Sequence, residues 1–334
     1  LVFKITKIPP NPTDTLPDYL QQIVDEFGVW GSFNDVIRQS LVSKKTQELT
    51  ELNQKKFSWV ELPDLCCQAV GGDPAPSPEV KTAWGLLYTA AHLMDAVVDG
   101  DNPDEWWVSI GPPAAINVAT ALYGCSGLAL RELFNKEDSY DVAIDILGKF
   151  QHTILKMCAG QHLELTKKEL SLEDYWRVAK AKSGSFFGLA CYAGARLATD
   201  DPDTLVSFLD FGFHLGIIIQ IGDDGKDIWS SETNGNSSLS NPLCLLPVIY
   251  ALSVLSEEKS THLLNFIHNV EQNPELAGNL HIQLEGTGAD LYIVTKVEQH
   301  RLKALQALQR LNIQSAIYNR FEKLLSSLSF IGLE

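Results

Sequence analysis

Basic residues are scarce in this chain. Its 334 residues hold 26 lysines and arginines against 42 aspartates and glutamates, a formal net charge of −16. Nucleic acids and anionic membrane surfaces attract clustered Lys and Arg, so neither is expected as a partner. Paired cysteines are lacking too. Cys66, Cys67, Cys125, Cys158, Cys191 and Cys244 are scattered, mostly among apolar residues, with no CxxC spacing. That excludes a zinc ribbon and a disulfide framework and predicts buried thiols in a reducing cytoplasm. The longest apolar run, "LSNPLCLLPVIYALSVL", is interrupted by Pro242 and Pro247 and falls short of the ~20 residues that span a membrane. The sequence starts at Leu1 without a charged-then-apolar leader, so neither a membrane span nor a signal region is expected.

Strand-type alternation is also hard to find, and what remains is helical. With 45% hydrophobic and 20% charged residues the chain can bury a large core, and it reads as one soluble globular domain, residues 1–334. Residues 14–41 space Leu20, Ile23, Val24 and Phe27 at helical intervals. Pro78 and Glu79 start a helix that runs to about Asp99 and is apolar nearly all round, hence buried. "SYDVAIDILGKFQHTILKMCAGQHLEL", "SLEDYWRVAKAKSGSFFGLACYAGARLA" and "PDTLVSFLDFGFHLGIIIQIGDDGKDIW" each read as a polar start and a long helical run. Near the end, Leu302, Leu305, Leu308 and Leu311 repeat at near-helical spacing. About ten helices are predicted, an all-α bundle. Residues 230–242, "SSETNGNSSLSNP", form the one low-complexity segment and read as a flexible connection or lid.

Two acidic turns stand out. In "HLMDAVVDGD", Asp95 and Asp99 are four apart and share a helix face; in "IIIQIGDDGKDIW", Asp223 and Asp227 do the same, with Asp224 adjoining. Acids at the ends of apolar helices are costly if bare. Oxygen ligands with no Cys nearby suit Mg²⁺, which keeps waters and completes its shell with substrate phosphates. His92, one turn before Asp95, reads as a core histidine.

The order of these pieces resembles the trans-isoprenyl diphosphate synthases, relatives of class I terpene synthases, over roughly residues 60 to 325. "FGFHLGIIIQIGDDGKDIW" is similar to the second aspartate-rich motif, "YWRVAKAKSGSFFGLACYAGA" to the helix with a diphosphate-binding lysine, and "GQHLEL" to a Gly-Gln-x-x-Asp-Leu turn. The resemblance implies an all-α isoprenoid synthase bundle around an apolar cavity, built as a homodimer. It implies a cluster of three Mg²⁺ ions on Asp95, Asp99, Asp223, Asp224 and Asp227, with Lys182 and Gln220 toward an allylic prenyl diphosphate. Metal ions and a fixed ammonium would stabilise the diphosphate as the C–O bond breaks. Asp95, Asp99, Asp223 and Lys182 are thus the candidate catalytic residues. Ala90 and Ala91 stand where bulky residues would close the pocket floor, which implies a chain of about twenty carbons or longer, with Trp84 as a deeper floor. Tyr88, Phe186, Phe187, Phe211 and Phe213 are candidates for lining that pocket and stabilising cations.

The departures matter equally. Where the family carries basic residues for isopentenyl diphosphate, "SWVELP" has Trp59, Val60 and Leu62, and Asp104 and Glu105 replace an Arg-Arg pair. Leu243 and Leu245 stand at polar positions after the second motif. Three readings follow. The favoured one is a terpene synthase that ionises one allylic diphosphate and cyclises or rearranges it. The second is a prenyltransferase, using isopentenyl diphosphate or an acceptor without a diphosphate, for example an aromatic or another lipid. The third is a non-catalytic subunit that modulates an active prenyl synthase.

Overall fold

The computed structural model describes residues 59–72, 78–100, 106–135, 140–167, 169–229 and 241–328. Among these residues the chain is all helix, with no strand. After a 3₁₀ turn at Trp59–Glu61 come α1 (Leu62–Ala69), α2 (Pro78–Asp99), α3 (Pro112–Arg131), α4 (Tyr140–Thr166) and α5 (Leu172–Ala179). A π-helical turn, Lys180–Gly184, leads directly into α6 (Ser185–Arg196). Then follow α7 (Pro202–Trp229), α8 (Leu246–Val254), α9 (Glu257–Gln272), the single-turn α10 (Leu280–Gln283), α11 (Ala289–Gln309) and α12 (Ser315–Ser327).

Local chemistry explains several starts. Pro78 and Pro112 open α2 and α3, where a missing N–H costs nothing. α5 begins with a capping box: the Asp174 N–H donates to Ser171 Oγ at 3.1 Å, and the Ser171 N–H donates back to the Asp174 carboxylate at 3.3 Å. That cap fixes where Tyr175, the next residue, points.

α7 is the central post, with α6 and α11 packed along it. Leu205, Phe208, Phe211, Leu215, Ile217, Ile218 and Ile221 on it are buried. Two glycines one turn apart set the spacing. A Cβ on Gly216 would lie 2.1 Å from the Ser183 carbonyl oxygen, and one on Gly212 would lie 2.3 Å from that of Phe187. Bare backbone there lets the π-turn and α6 lie directly against α7. A second, smaller apolar cluster, including Ile228, Val248, Leu263 and Leu280, joins the end of α7 to α8, α9 and α10.

Four sequence expectations change. α2 has the predicted bounds but is not apolar all round: partial exposure recurs at Lys81, Gly85, Tyr88, His92 and Asp95, spaced four and three apart along one face. The predicted single run over residues 171–198 is interrupted by the π-turn. The C-terminal run breaks after Gln309, and Leu302 is 51% exposed while Ala304, Ala307 and Leu308 form the buried seam. Cys158 is exposed, although Cys66, Cys67, Cys125 and Cys191 are buried, and the six cysteines form no disulfide. Residues 14–41, 101–105 and 230–240 lie outside the described residues; Pro242, at the end of the predicted loop, is buried in a 3₁₀ turn. By length and composition alone, Pro112–Asn135 and Pro202–Trp229 could cross a bilayer, but both are partly buried in the fold, as core helices are.

Candidate functional site

Asp95 ends the open face of α2, and its carboxylate meets a cation. Lys182, in the π-turn, places its Nζ 3.5 Å from Asp95 Oδ1 and 2.7 Å from Glu164 Oε2 on α4. The lysine side chain is only 18% exposed, so this is a largely enclosed ammonium shared by two carboxylates. α4 reaches it through Gly160, where a Cβ would sit 3.0 Å from Lys182 Cγ. "GQHLEL" is therefore part of a continuous helix rather than a turn. Two acids against one base leave the group net negative, which favours added positive charge.

The π-turn gives neighbouring residues different partners. Lys182 faces α2 and α4, whereas the Ser183 hydroxyl donates to Gln220 Oε1 on α7 at 2.7 Å. Gln220 Nε2 in turn donates to Asp224 Oδ1 at 3.0 Å. Asp224 Oδ2 accepts from the Tyr175 hydroxyl at 2.7 Å and from the Leu246 N–H at 3.0 Å. Asp224 is 4% exposed, and burial lifts its pKa to about 7 despite those donors. Expected from the sequence as a metal ligand, Asp224 here has both oxygens engaged in bonds that tie α5 and α8 to α7. Gln220, expected to touch substrate, is likewise engaged at both ends of its amide.

The other acids of the second turn are open. Asp223 has a 58% exposed side chain and pairs with Lys226 at 2.7 Å, and Asp227 is exposed on the same helix. The backbone of Asp99 is in the last turn of α2; its side chain is outside the described set. The two acidic helices are linked through the π-turn, by Lys182 to Asp95 and by Ser183 and Gln220 to Asp224; Glu164 and Tyr175, which the sequence did not single out, join this network at either end. Burial first, then the charges of Asp224, Glu164 and Asp223, push the Tyr175 hydroxyl pKa well above its ordinary value. Glu164 was visible only as the acid of "GQHLEL"; for Tyr175 there was no signal.

Below Asp95 the wall is aromatic. Trp84 stacks on Phe186 at 4.8 Å and its indole N–H donates to the Phe186 carbonyl at 3.2 Å. Trp59 meets Phe187 edge-on at 5.3 Å, Tyr88 lies 5.8 Å from Phe186, and the Tyr88 hydroxyl is 2.7 Å from His92 Nε2. Trp84 is fully buried. Ala91 is on the half-open side of α2, whereas Ala90, like Trp84, is fully buried. Phe211 packs on Phe321 in the core, away from this wall. Of the positions where basic residues were missed, Leu62 is buried in the core and Trp59 is bound into the aromatic wall.

Oxygen donors on Asp95, Glu164, Asp223 and Asp227 suit a hard divalent cation. Among the described residues no three His, Cys, Asp or Glu side chains form a ready-made cage. Mg²⁺ tolerates that, since it retains waters and shares phosphate oxygens. Gln161, next to Gly160, has a buried Oε1 with no partner, an acceptor suited to such a water. The residues present fit the ion.

Comparisons with known proteins agree with this architecture. The chain is 31% identical over 201 residues to a geranylgeranyl diphosphate synthase of Mycobacterium tuberculosis, covering 57% of this chain and 56% of that one. It is 24% identical over 289 residues to the tryptophan prenyltransferase ComQ of Bacillus subtilis, covering 84% and 91%. In fold it is similar to a polyprenyl synthetase from Streptomyces coelicolor (TM-score 0.74, 19% identity, 93% and 95% covered). It is equally similar to a geranylgeranyl pyrophosphate synthase from Corynebacterium glutamicum complexed with isoprenyl diphosphate and magnesium (TM-score 0.74, 14% identity, 93% and 96% covered). Residues 64–280 match the polyprenyl synthetase profile, and the chain belongs to that family.

Proposed function

We propose that this protein is a Mg²⁺-dependent prenyltransferase that ionises an allylic prenyl diphosphate and transfers its chain to an aromatic acceptor, such as an indole, instead of isopentenyl diphosphate. One observation carries the choice of acceptor. Where a second diphosphate would need cations, Leu62 is buried in the core and Trp59 stands against Phe187. The alignment along most of both chains with a tryptophan prenyltransferase supports the same reading, and favours transfer over the cyclisation that the sequence alone suggested.

In this reading Asp95, Asp99, Asp223 and Asp227 hold the metal, which supplies charge stabilisation to the departing diphosphate. Lys182 turns its ammonium from Asp95 and Glu164 toward the diphosphate oxygens as the C–O electron pair leaves with them. Trp84, Tyr88, Phe186 and Phe187 exclude water and offer π faces to the allylic cation. The acceptor carbon then forms the new bond and gives up a proton. We further propose a homodimer, supported by Ile116 on α3 and by Ile144 and Leu155 on α4, which are large, apolar and exposed.

The test is incubation with Mg²⁺ and geranylgeranyl diphosphate, adding N-acetyltryptophanamide or isopentenyl diphosphate, with mass spectrometry of the products. A prenylated indole is expected. Longer prenyl diphosphates from isopentenyl diphosphate would overturn the choice of acceptor.

A further inference from the structure

An allylic cation that closes to an alkene, or that joins the carbon of an aromatic acceptor, gives up a C–H proton. The base must lie near the cation, on the apolar side of the diphosphate. The acids at the level of Asp95 belong to the diphosphate end of the proposed site: Glu164 and Asp95 lie at the Lys182 ammonium, and Asp224 is bonded to Tyr175, Gln220 and the Leu246 N–H.

One turn below Asp95 is a different arrangement. His92 Nε2 and the Tyr88 hydroxyl are 2.7 Å apart and their rings meet edge-on at 4.6 Å. Both belong to the half-open stripe Lys81, Gly85, Tyr88, His92, Asp95 on α2, while Ala83, Leu86, Leu87, Ala90 and Leu93 on the other side are buried. At ~1.5 Å per residue, His92 lies about 4.5 Å and Tyr88 about 10 Å along the helix from Asp95. Opposite Tyr88 is Phe186, one turn after Lys182. A diphosphate held at Lys182 would direct its hydrocarbon down this stripe.

We infer that Tyr88 and His92 form the proton acceptor that ends the reaction; the inference rests on the ionising site proposed above. With the imidazole proton on Nδ1, the Tyr88 hydroxyl donates to the lone pair of Nε2. The proton lost by the substrate goes to the Tyr88 oxygen as the Tyr88 proton passes to Nε2. The C–H electron pair closes the double bond, or restores the aromatic ring of an acceptor. The pair finishes as tyrosine and imidazolium, and diphosphate has carried off the C–O pair. Charged neighbours along this route are Asp95 on α2, Lys182 in the π-turn and Glu164 on α4.

The test uses the full chain with Mg²⁺ and geranylgeranyl diphosphate and no acceptor, and reads the ratio of alkenes to alcohols among the products. Alkenes record proton loss to a base and alcohols record capture by water, and the ratio does not depend on how fast the cation forms. The wild type is expected to give mainly alkenes. His92→Gln and Tyr88→Phe should each lower the ratio by about tenfold or more, with little further change in the double variant, because the residues act as a unit. Ratios within about twofold of wild type in both variants, or alcohols alone from the wild type, would overturn the assignment while leaving the ionising site intact. Absence of diphosphate release by the wild type would overturn both.

Discussion

Lys182 is the residue on which the site turns. Replacing it with Gln removes the charge shared by Asp95 and Glu164 and, with it, the ammonium proposed to meet the diphosphate. The loss in kcat/KM for diphosphate release should be on the order of a hundredfold or more, read by a coupled pyrophosphate assay. A distant pair offers a prediction in pH. His214 Nδ1 and His300 Nδ1 are 3.0 Å apart, with His300 stacked on Trp176. Burial first, then His214, Lys303, Lys296 and Lys180, lower the His300 pKa from 6.5 to about 3. His214 is lowered too, by burial and Lys303, against a raising influence from Asp210. The folded state therefore holds His300 neutral where the unfolded chain takes a proton. Stability should be full above pH 6.5 and erode as pH falls toward about 3. In His300→Gln the urea midpoint should fall less steeply between pH 6.5 and 4 than in the wild type; equal slopes would refute this reading.

At the scale of elements, the close approach of the π-turn to α7 can be tested by filling it. Gly216→Ala puts a methyl 2.1 Å from a backbone oxygen that cannot move without shifting Ser183. A cost of about 1–3 kcal/mol or more is expected, visible as a lowered Tm. Gly222→Ala on the same helix meets nothing within 4 Å and should be neutral or stabilising. The bounds of α2 were legible because Pro78 and its apolar period are local signals. The π-turn was not, because Lys180 to Gly184 read like any helical residues and the widening is imposed by packing on α7. The acidic turn at 223–227 shows both outcomes. Its position was evident from spacing, yet successive helical residues point ~100° apart, so one of the adjacent pair had to face inward, and only tertiary contacts decided that it is Asp224. The aromatic wall was readable as a set of candidates, but the core role of Phe211 and the burial of Ala90 depend on which helices meet.

At the scale of the whole molecule, the exposed Leu155, Ile144 and Ile116 on α3 and α4 make a testable statement about assembly. Light scattering after size exclusion should give twice the 36.9 kDa chain mass for the wild type. Leu155→Lys, at a position already 69% exposed, should shift it toward one chain mass without unfolding it; a wild-type monomer would end the proposal. The shared lysine also governs how ligands arrive. Lys182 is the internal counter-ion of Asp95 and Glu164, so in the proposed site a cation and a diphosphate would each draw on a partner that is already paired. In that proposed site a diphosphate binding alone would strand both acids, whereas a cation taking Asp95 leaves Lys182 paired with Glu164. Binding of the two should be reciprocally cooperative, with each tightening the other by the same factor, and the protein should hold diphosphate poorly until the cation is in place.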